Sequence, residues 1–146
     1  MESSYSDSVS PESNTGSGPV AGYTSSSLTP GVILTVNYYD SYSFISNSAL
    51  NYDSSQEQSG YTPQFSTAKG LLTGTRVYHL DNPSLFEVSA LYYDKYGRVV
   101  QSRSTNHLGG YDITYNAVDF RGKVLTTRKE HNISNQAVIP EVYTYS

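Results

Sequence analysis

The chain has 146 residues and a formal net charge of −4; 15% of its residues are charged, fifteen are Tyr, and there is no Trp and no Cys. That length holds one domain or a piece of one. The missing Cys excludes a disulfide framework and any thiolate metal site, and the acidic balance argues against a nucleic-acid binder driven by phosphate contacts. Abundant Tyr, Ser, Thr, Gly and Val beside few helix formers favour an all-β chain. No apolar run is long enough to cross a membrane. Residues 1–20 lack the basic start and apolar stretch of a signal peptide, so an exported protein would contain this sequence as an internal piece or without its leader.

Residues 1–30 hold ten Ser with interspersed Pro, Gly, Thr and Asn, and read as a polar linker or extended segment. No Lys or Arg occurs before Lys69, so a polar acidic leader precedes a mixed-charge sheet. Residues 31–68 read as one strand, Gly31 to Tyr39, followed by an irregular Tyr/Ser-rich stretch. The strand is apolar on both faces, which predicts burial on both sides or an apolar partner surface. Asp40 to Ile45 turns and re-extends. Ala49 to Thr67 is expected to be irregular, with a short helical turn near Ser54 to Ser59.

Residues 69–146 carry the clearest pattern, an antiparallel meander of about six strands. Gly70 and Gly74 bracket Leu71-Leu72 in a segment of tight approach. Strands are expected at Thr75–Leu80, Leu85–Tyr93, Arg98–Thr105, Tyr111–Val118, Lys123–His131 and Gln136–Tyr145. Between them lie an Asp81-Asn82-Pro83-Ser84 turn, the corner at Asp94, a Gly-ended loop from Asn106 to Gly110, the corner at Asp119 and a turn from Asn132 to Asn135. Pro140 predicts an edge or a bulge in the last strand. That strand ends in Val142-Tyr143-Thr144-Tyr145, which looks like the lead-in to a further corner and leaves an edge awaiting another strand.

Two stretches share one design, Tyr93-Asp94-Lys95-Tyr96-Gly97-Arg98-Val99 and Val118-Asp119-Phe120-Arg121-Gly122-Lys123-Val124. Asp at the first position of a type I turn accepts from the backbone two residues on. Gly three residues later takes the left-handed conformation that closes a bulged hairpin. Two such corners 25 residues apart form an internal repeat. A partial version stands at Asn37 to Tyr42.

The pattern Tyr93-Asp94-x-x-Gly97-Arg98 resembles the YD repeat of bacterial RHS-family proteins and of the animal teneurins; Val118-Asp119-x-x-Gly122-Lys123 is a variant with Val in place of Tyr and Lys in place of Arg. Lys69 to His131, including Lys69-Gly70-Leu71-Leu72-Thr73-Gly74 and Asn106-His107-Leu108-Gly109-Gly110, looks like an RHS-repeat region. The resemblance implies stacked β-hairpins forming part of a hollow β-shell, in a bacterial protein that is secreted or held at the cell surface. It implies a structural segment without catalysis whose partners are neighbouring repeats of the same longer chain. Nothing here resembles the toxin end of such proteins, so the segment would be wall and not cargo.

His79, His107 and His131 are far apart and lack metal-ligand spacing, although Asp81 lies two residues from His79. Asp94, Asp112 and Asp119 are the candidates for paired carboxylates of sugar hydrolysis, but turn capping already explains Asp94 and Asp119. No nucleophile elbow or phosphate loop is present. Asn132-Ile133-Ser134 fits an N-glycosylation sequon. The expectation is therefore no catalytic, cofactor or metal residue, with Tyr93, Asp94, Gly97, Arg98, Asp119, Gly122 and Lys123 as structural turn residues. Arg98 and Lys123 are expected to pair with a corner Asp or a neighbouring hairpin. Tyr92, Tyr96 and Tyr111 are candidates for stacking on a ligand, which would suit a carbohydrate- or protein-binding surface module; the alternative is a cross-strand Tyr ladder.

Overall fold

In the computed structural model the described residues are 34–145, without 135 and 137. The Ser-rich segment 1–30 and the first residues of the Gly31–Tyr39 strand lie outside them. Among the described residues seven strands form one antiparallel sheet: β1 (Thr35–Asp40), β2 (Ala68–Tyr78), β3 (Phe86–Tyr93), β4 (Val99–Thr105), β5 (Tyr111–Val118), β6 (Val124–Asn132) and β7 (Ile139–Thr144). Their order in the sheet is their order in the chain, so the fold is an all-β meander of stacked hairpins. Two short 3-10 turns, Ser48–Leu50 and Ser54–Ser59, interrupt the β1–β2 connection. Among the described residues no helix is long and apolar enough to cross a membrane.

Register assigns the two faces, because residues directly opposite in an antiparallel ladder share a side. One face carries the row Tyr38, Gly74, Ala90, Arg103, Ile113, Glu130 and the row Tyr92, Gln101, Tyr115, Arg128, Val142. The other carries Asn37, Thr75, Ser89, Ser104, Asp112, His131 and Ile139. The first face is the core side, and the β1–β2 connection folds across it. Phe44 stacks on Tyr38 at 4.2 Å, Tyr42 on Tyr92 at 4.6 Å, and Tyr61 tilts over Tyr115 at 5.8 Å. Leu50 is fully buried there, a burial that contributes about 2 kcal/mol.

Hydrogen bonds fix this cover in register. The Tyr92 hydroxyl donates to the Leu50 carbonyl at 2.5 Å, Arg103 Nη1 to the Asn51 carbonyl at 2.6 Å, and the Asp53 N–H to Gln101 Oε1 at 2.9 Å. Gly74 permits the closest approach: a Cβ there would lie 2.2 Å from the Phe44 ring and 2.4 Å from the Ser89 carbonyl oxygen.

Three features depart from the sequence reading. β2 begins at Ala68, seven residues before Thr75, because the Gly70 region pairs with the end of β1 through shifts of register. Asp40 adopts a positive φ of 67° there, and its Oδ1 accepts from the Gly70 N–H at 2.5 Å. β1 is not buried on both sides. Val36 and Tyr38 face the core while Thr35, Asn37 and Tyr39 are exposed, because the connection covers only one face. The last strand is shorter than Gln136–Tyr145, and all of β7 is exposed. The Tyr145 N–H donates to the Leu125 carbonyl on β6 at 2.8 Å. Ladder alternation then puts Pro140 among the residues whose backbone faces away from β6, where a missing N–H costs no internal bond.

Candidate functional site

The repeated corners share one dense set of local hydrogen bonds. At Asp94, Oδ1 accepts from the N–H groups of Tyr96 (2.9 Å) and Arg98 (3.0 Å). The Gly97 N–H closes the turn on the Asp94 carbonyl at 3.1 Å, and the Asp94 N–H bonds the Arg98 carbonyl at 3.0 Å. Gly97 sits at φ 74°, a conformation that costs an L side chain about 1 kcal/mol or more. Asp119 repeats all four bonds with Arg121, Lys123 and Gly122. So does Asn106, whose Oδ1 accepts from Leu108 (3.1 Å) and Gly110 (2.9 Å) while the Gly109 N–H meets its carbonyl at 3.1 Å. The stretch expected as a Gly-ended loop is thus a third corner of the same design. Its signal was in the chain as Asn106-x-x-Gly109, 12 residues after Asp94 and 13 before Asp119.

Side chains join successive corners at the same end of the sheet. Arg98 clasps its own Asp94 through Nε and Nη2, each 2.6 Å from Oδ2, and reaches Nη1 to the Asp119 carbonyl at 2.8 Å. At the opposite end, Asn106 Nδ2 donates to the Asn132 carbonyl at 3.0 Å. Lys123, at the position equivalent to Arg98, is exposed; at its corner Arg121 Nε pairs with Asp119 Oδ2 at 3.2 Å. Burial pushes the Asp94 carboxyl pKa up, but the Arg98 and backbone donors outweigh it and hold the group below the usual carboxylate range. Asp119 is lowered in the same sense, its Lys123 and Arg121 donors outweighing desolvation.

The aromatic candidates part company. Tyr92 is 2% exposed. One ring face is stacked by Tyr42, Tyr52 leans on the ring at 5.4 Å, and burial pushes the phenol up to about 12. It therefore offers no free face to a ligand, a correction to its candidacy. Tyr111 is half-buried and its hydroxyl accepts from Asn47 Nδ2 at 2.8 Å. Tyr93 is buried, its hydroxyl donating to the Leu72 carbonyl at 2.5 Å. Tyr96 is 65% exposed at the tip of the Asp94 corner. The Lys95 ammonium lies 5.0 Å and the Arg98 guanidinium 4.9 Å from its ring centre.

Beside Tyr96 is a cleft of about 290 Å³ between the corner and residues 62–65, the last part of the β1–β2 connection. That strap is pinned from below by Thr62 N–H to the Asn116 carbonyl (3.2 Å), Gln64 N–H to the Tyr52 hydroxyl (2.9 Å) and Phe65 N–H to the Tyr93 carbonyl (2.7 Å).

His79 lies 3.9 Å from Glu87, across the β2–β3 hairpin, and not against Asp81. Asp112 bonds His131 Nδ1 directly across β5 and β6. Sequence spacing does not reveal this pair, which needs the β5–β6 register. Among the described residues no group of three or more His, Cys, Asp or Glu is placed to hold a metal. Comparison with protein-family models, with curated proteins and with solved structures finds no match.

Proposed function

We propose that this chain is a structural segment of a repeat wall of the RHS type, secreted or displayed at a bacterial surface, with adjacent repeats of a longer chain as its partners and no reaction of its own. The observation that carries the reading is the tie from corner to corner. Arg98 spans from the Asp94 turn to the Asp119 turn, and Asn106 from its turn to Asn132 at the other end. These links run along the direction in which hairpins add. They brace successive hairpins against shear at the turns, where the ladder itself has ended. The corner carboxylates support the same reading, because Asp94 and Asp119 spend their oxygens on turn N–H groups and on Arg. A general acid or nucleophile would need those oxygens turned toward a substrate.

Reading the coding DNA on both sides of this segment tests the proposal. The expected result is that Asp- or Asn-x-x-Gly corners continue past Ser146 at the 12-to-13-residue spacing seen from Asp94 to Asp119, with an export signal upstream. A reading frame that stops at Ser146, or that continues without such corners, would overturn it.

A further inference from the structure

We propose that the cleft between the strap 62–65 and the Asp94 corner is a binding site for an aromatic carboxylate, a single planar ring carrying one negative charge. This stands apart from the wall reading and rests on three observations. The first is shape. The cleft measures about 290 Å³, close to the smallest small-molecule sites and suited to one ring and its substituent. Its strap wall is held by three backbone bonds at Thr62, Gln64 and Phe65, and its corner wall by the Asp94 bonds, so the walls are formed before any ligand arrives.

The second is charge. Asp94, Lys95 and Arg98 are the charged residues lining the cleft, which leaves one positive charge in excess in a chain whose net charge is −4. Asp94 and Arg98 neutralise each other at 2.6 Å. The surplus is Lys95, whose ammonium lies over the Tyr96 ring and, among the described residues, has no carboxylate partner. A flexible, exposed ammonium over a ring can swing to an incoming anion and keep that ring as a neighbour.

The third is the chemistry of the walls. Pro63, Phe65 and Tyr96 present apolar surface, and Phe65 and Tyr96 are both exposed. The Thr62 hydroxyl already accepts from the Val118 N–H at 2.9 Å. A sugar would bring several hydroxyls to walls with few free polar partners and lose hydration at each one. A planar ring would not, so a ring with a carboxylate matches this site better than a carbohydrate.

The experiment titrates the full chain with indole-3-acetate, following backbone amide NMR shifts, with indole-3-acetamide and glucuronate as parallel probes. Expected are saturable shifts confined to the amides of Thr62, Gln64, Phe65 and residues 95–98 for indole-3-acetate, with affinity in the range of about 0.1–10 mM for so small a ligand. Lys95→Gln should weaken that binding at least fivefold and leave the weaker binding of the acetamide unchanged. Lys95 is exposed and makes no bond the fold uses, so this variant keeps the native spectrum elsewhere; Tyr96→Ala should weaken both indole probes. The proposal is overturned by absent or non-saturating shifts, by shifts centred elsewhere, by glucuronate binding as tightly as indole-3-acetate, or by a Lys95→Gln variant that binds as the parent does.

Discussion

The corner at Asp94 and the corner at Asp119 make the same four turn bonds, with lengths that agree within about 0.1 Å. They differ in what surrounds them. The Asp94 side chain is 6% exposed and its Arg98 partner 25%, while Asp119 is 14% exposed and its Arg121 partner 69%. Arg98 comes after the corner Gly and points back over the turn to bridge two hairpins; Arg121 comes before the Gly and pairs within its own turn. The local code Asp-x-x-Gly therefore makes the corner in both places, and at Asp94 the Arg that follows the Gly also ties that corner into the sheet. Asn106 strengthens the point, for it builds the same turn without a charge and sends its amide to Asn132.

Removing each corner acid is the severest test of this contrast. Asp94→Ala leaves the half-buried Arg98 guanidinium without its carboxylate and strips Oδ1 from two N–H groups, which should cost about 3 kcal/mol in urea unfolding. Asp119→Ala removes the same turn bonds from a less buried carboxylate whose Arg121 partner is already solvated, and should cost clearly less. Equal losses in the two variants would sink the claim that the Arg98 tie distinguishes the corners. Arg98→Lys comes next. Lys keeps the charge but cannot hold Asp94 through two nitrogens and the Asp119 carbonyl through a third, so a loss of about 1–2 kcal/mol is expected. The converse change, Lys123→Arg, should leave stability within experimental error. Gly97→Ala is milder still. A Cβ there meets only Leu71, at 3.7 Å, so the cost is the positive φ alone, about 1 kcal/mol. An unchanged melting temperature would remove the left-handed corner from the account.

The same contrast explains what the sequence disclosed. The hairpins from Phe86 to Asn132 were legible because alternation, β-branched residues and Asp-x-x-Gly are all local signals. The Asn106 corner was legible too, by the same spacing with Asn for Asp, but its second Gly disguised it as a loop. The early start of β2 was hidden, because Gly70 and Gly74 weaken strand propensity and the residues of β2 before Gly74 pair with β1 alone. The cover over the core face was hidden more deeply. Arg103 to Asn51 and Gln101 to Asp53 join residues about 50 apart, through polar groups that look like solvent-facing residues in one dimension. The Asp112–His131 pair and the cleft at Tyr96 depend on register and on the path of the strap, neither of which local pattern encodes.

The finest test uses protons. The Asp94 carboxyl is buried, which alone would raise its pKa, yet Arg98 and two N–H donors lower it below the unfolded value. A group with a depressed folded pKa binds protons less readily in the folded state, so its contribution is fully present above the unfolded pKa of about 3.9 and is lost as pH falls through the folded value. Stability should therefore decline on acidification below about pH 5, with Asp119 adding a share of the same sign. Asp94→Asn separates the two. Asn can build the turn, as position 106 demonstrates, but it cannot titrate or pair with Arg98 as an ion. Urea midpoints measured from neutral to acid pH should start lower for Asp94→Asn than for the parent and fall less steeply, so that the two curves converge at the acid end. Parallel curves would mean that the Asp94–Arg98 pair is held by turn geometry and draws nothing from charge.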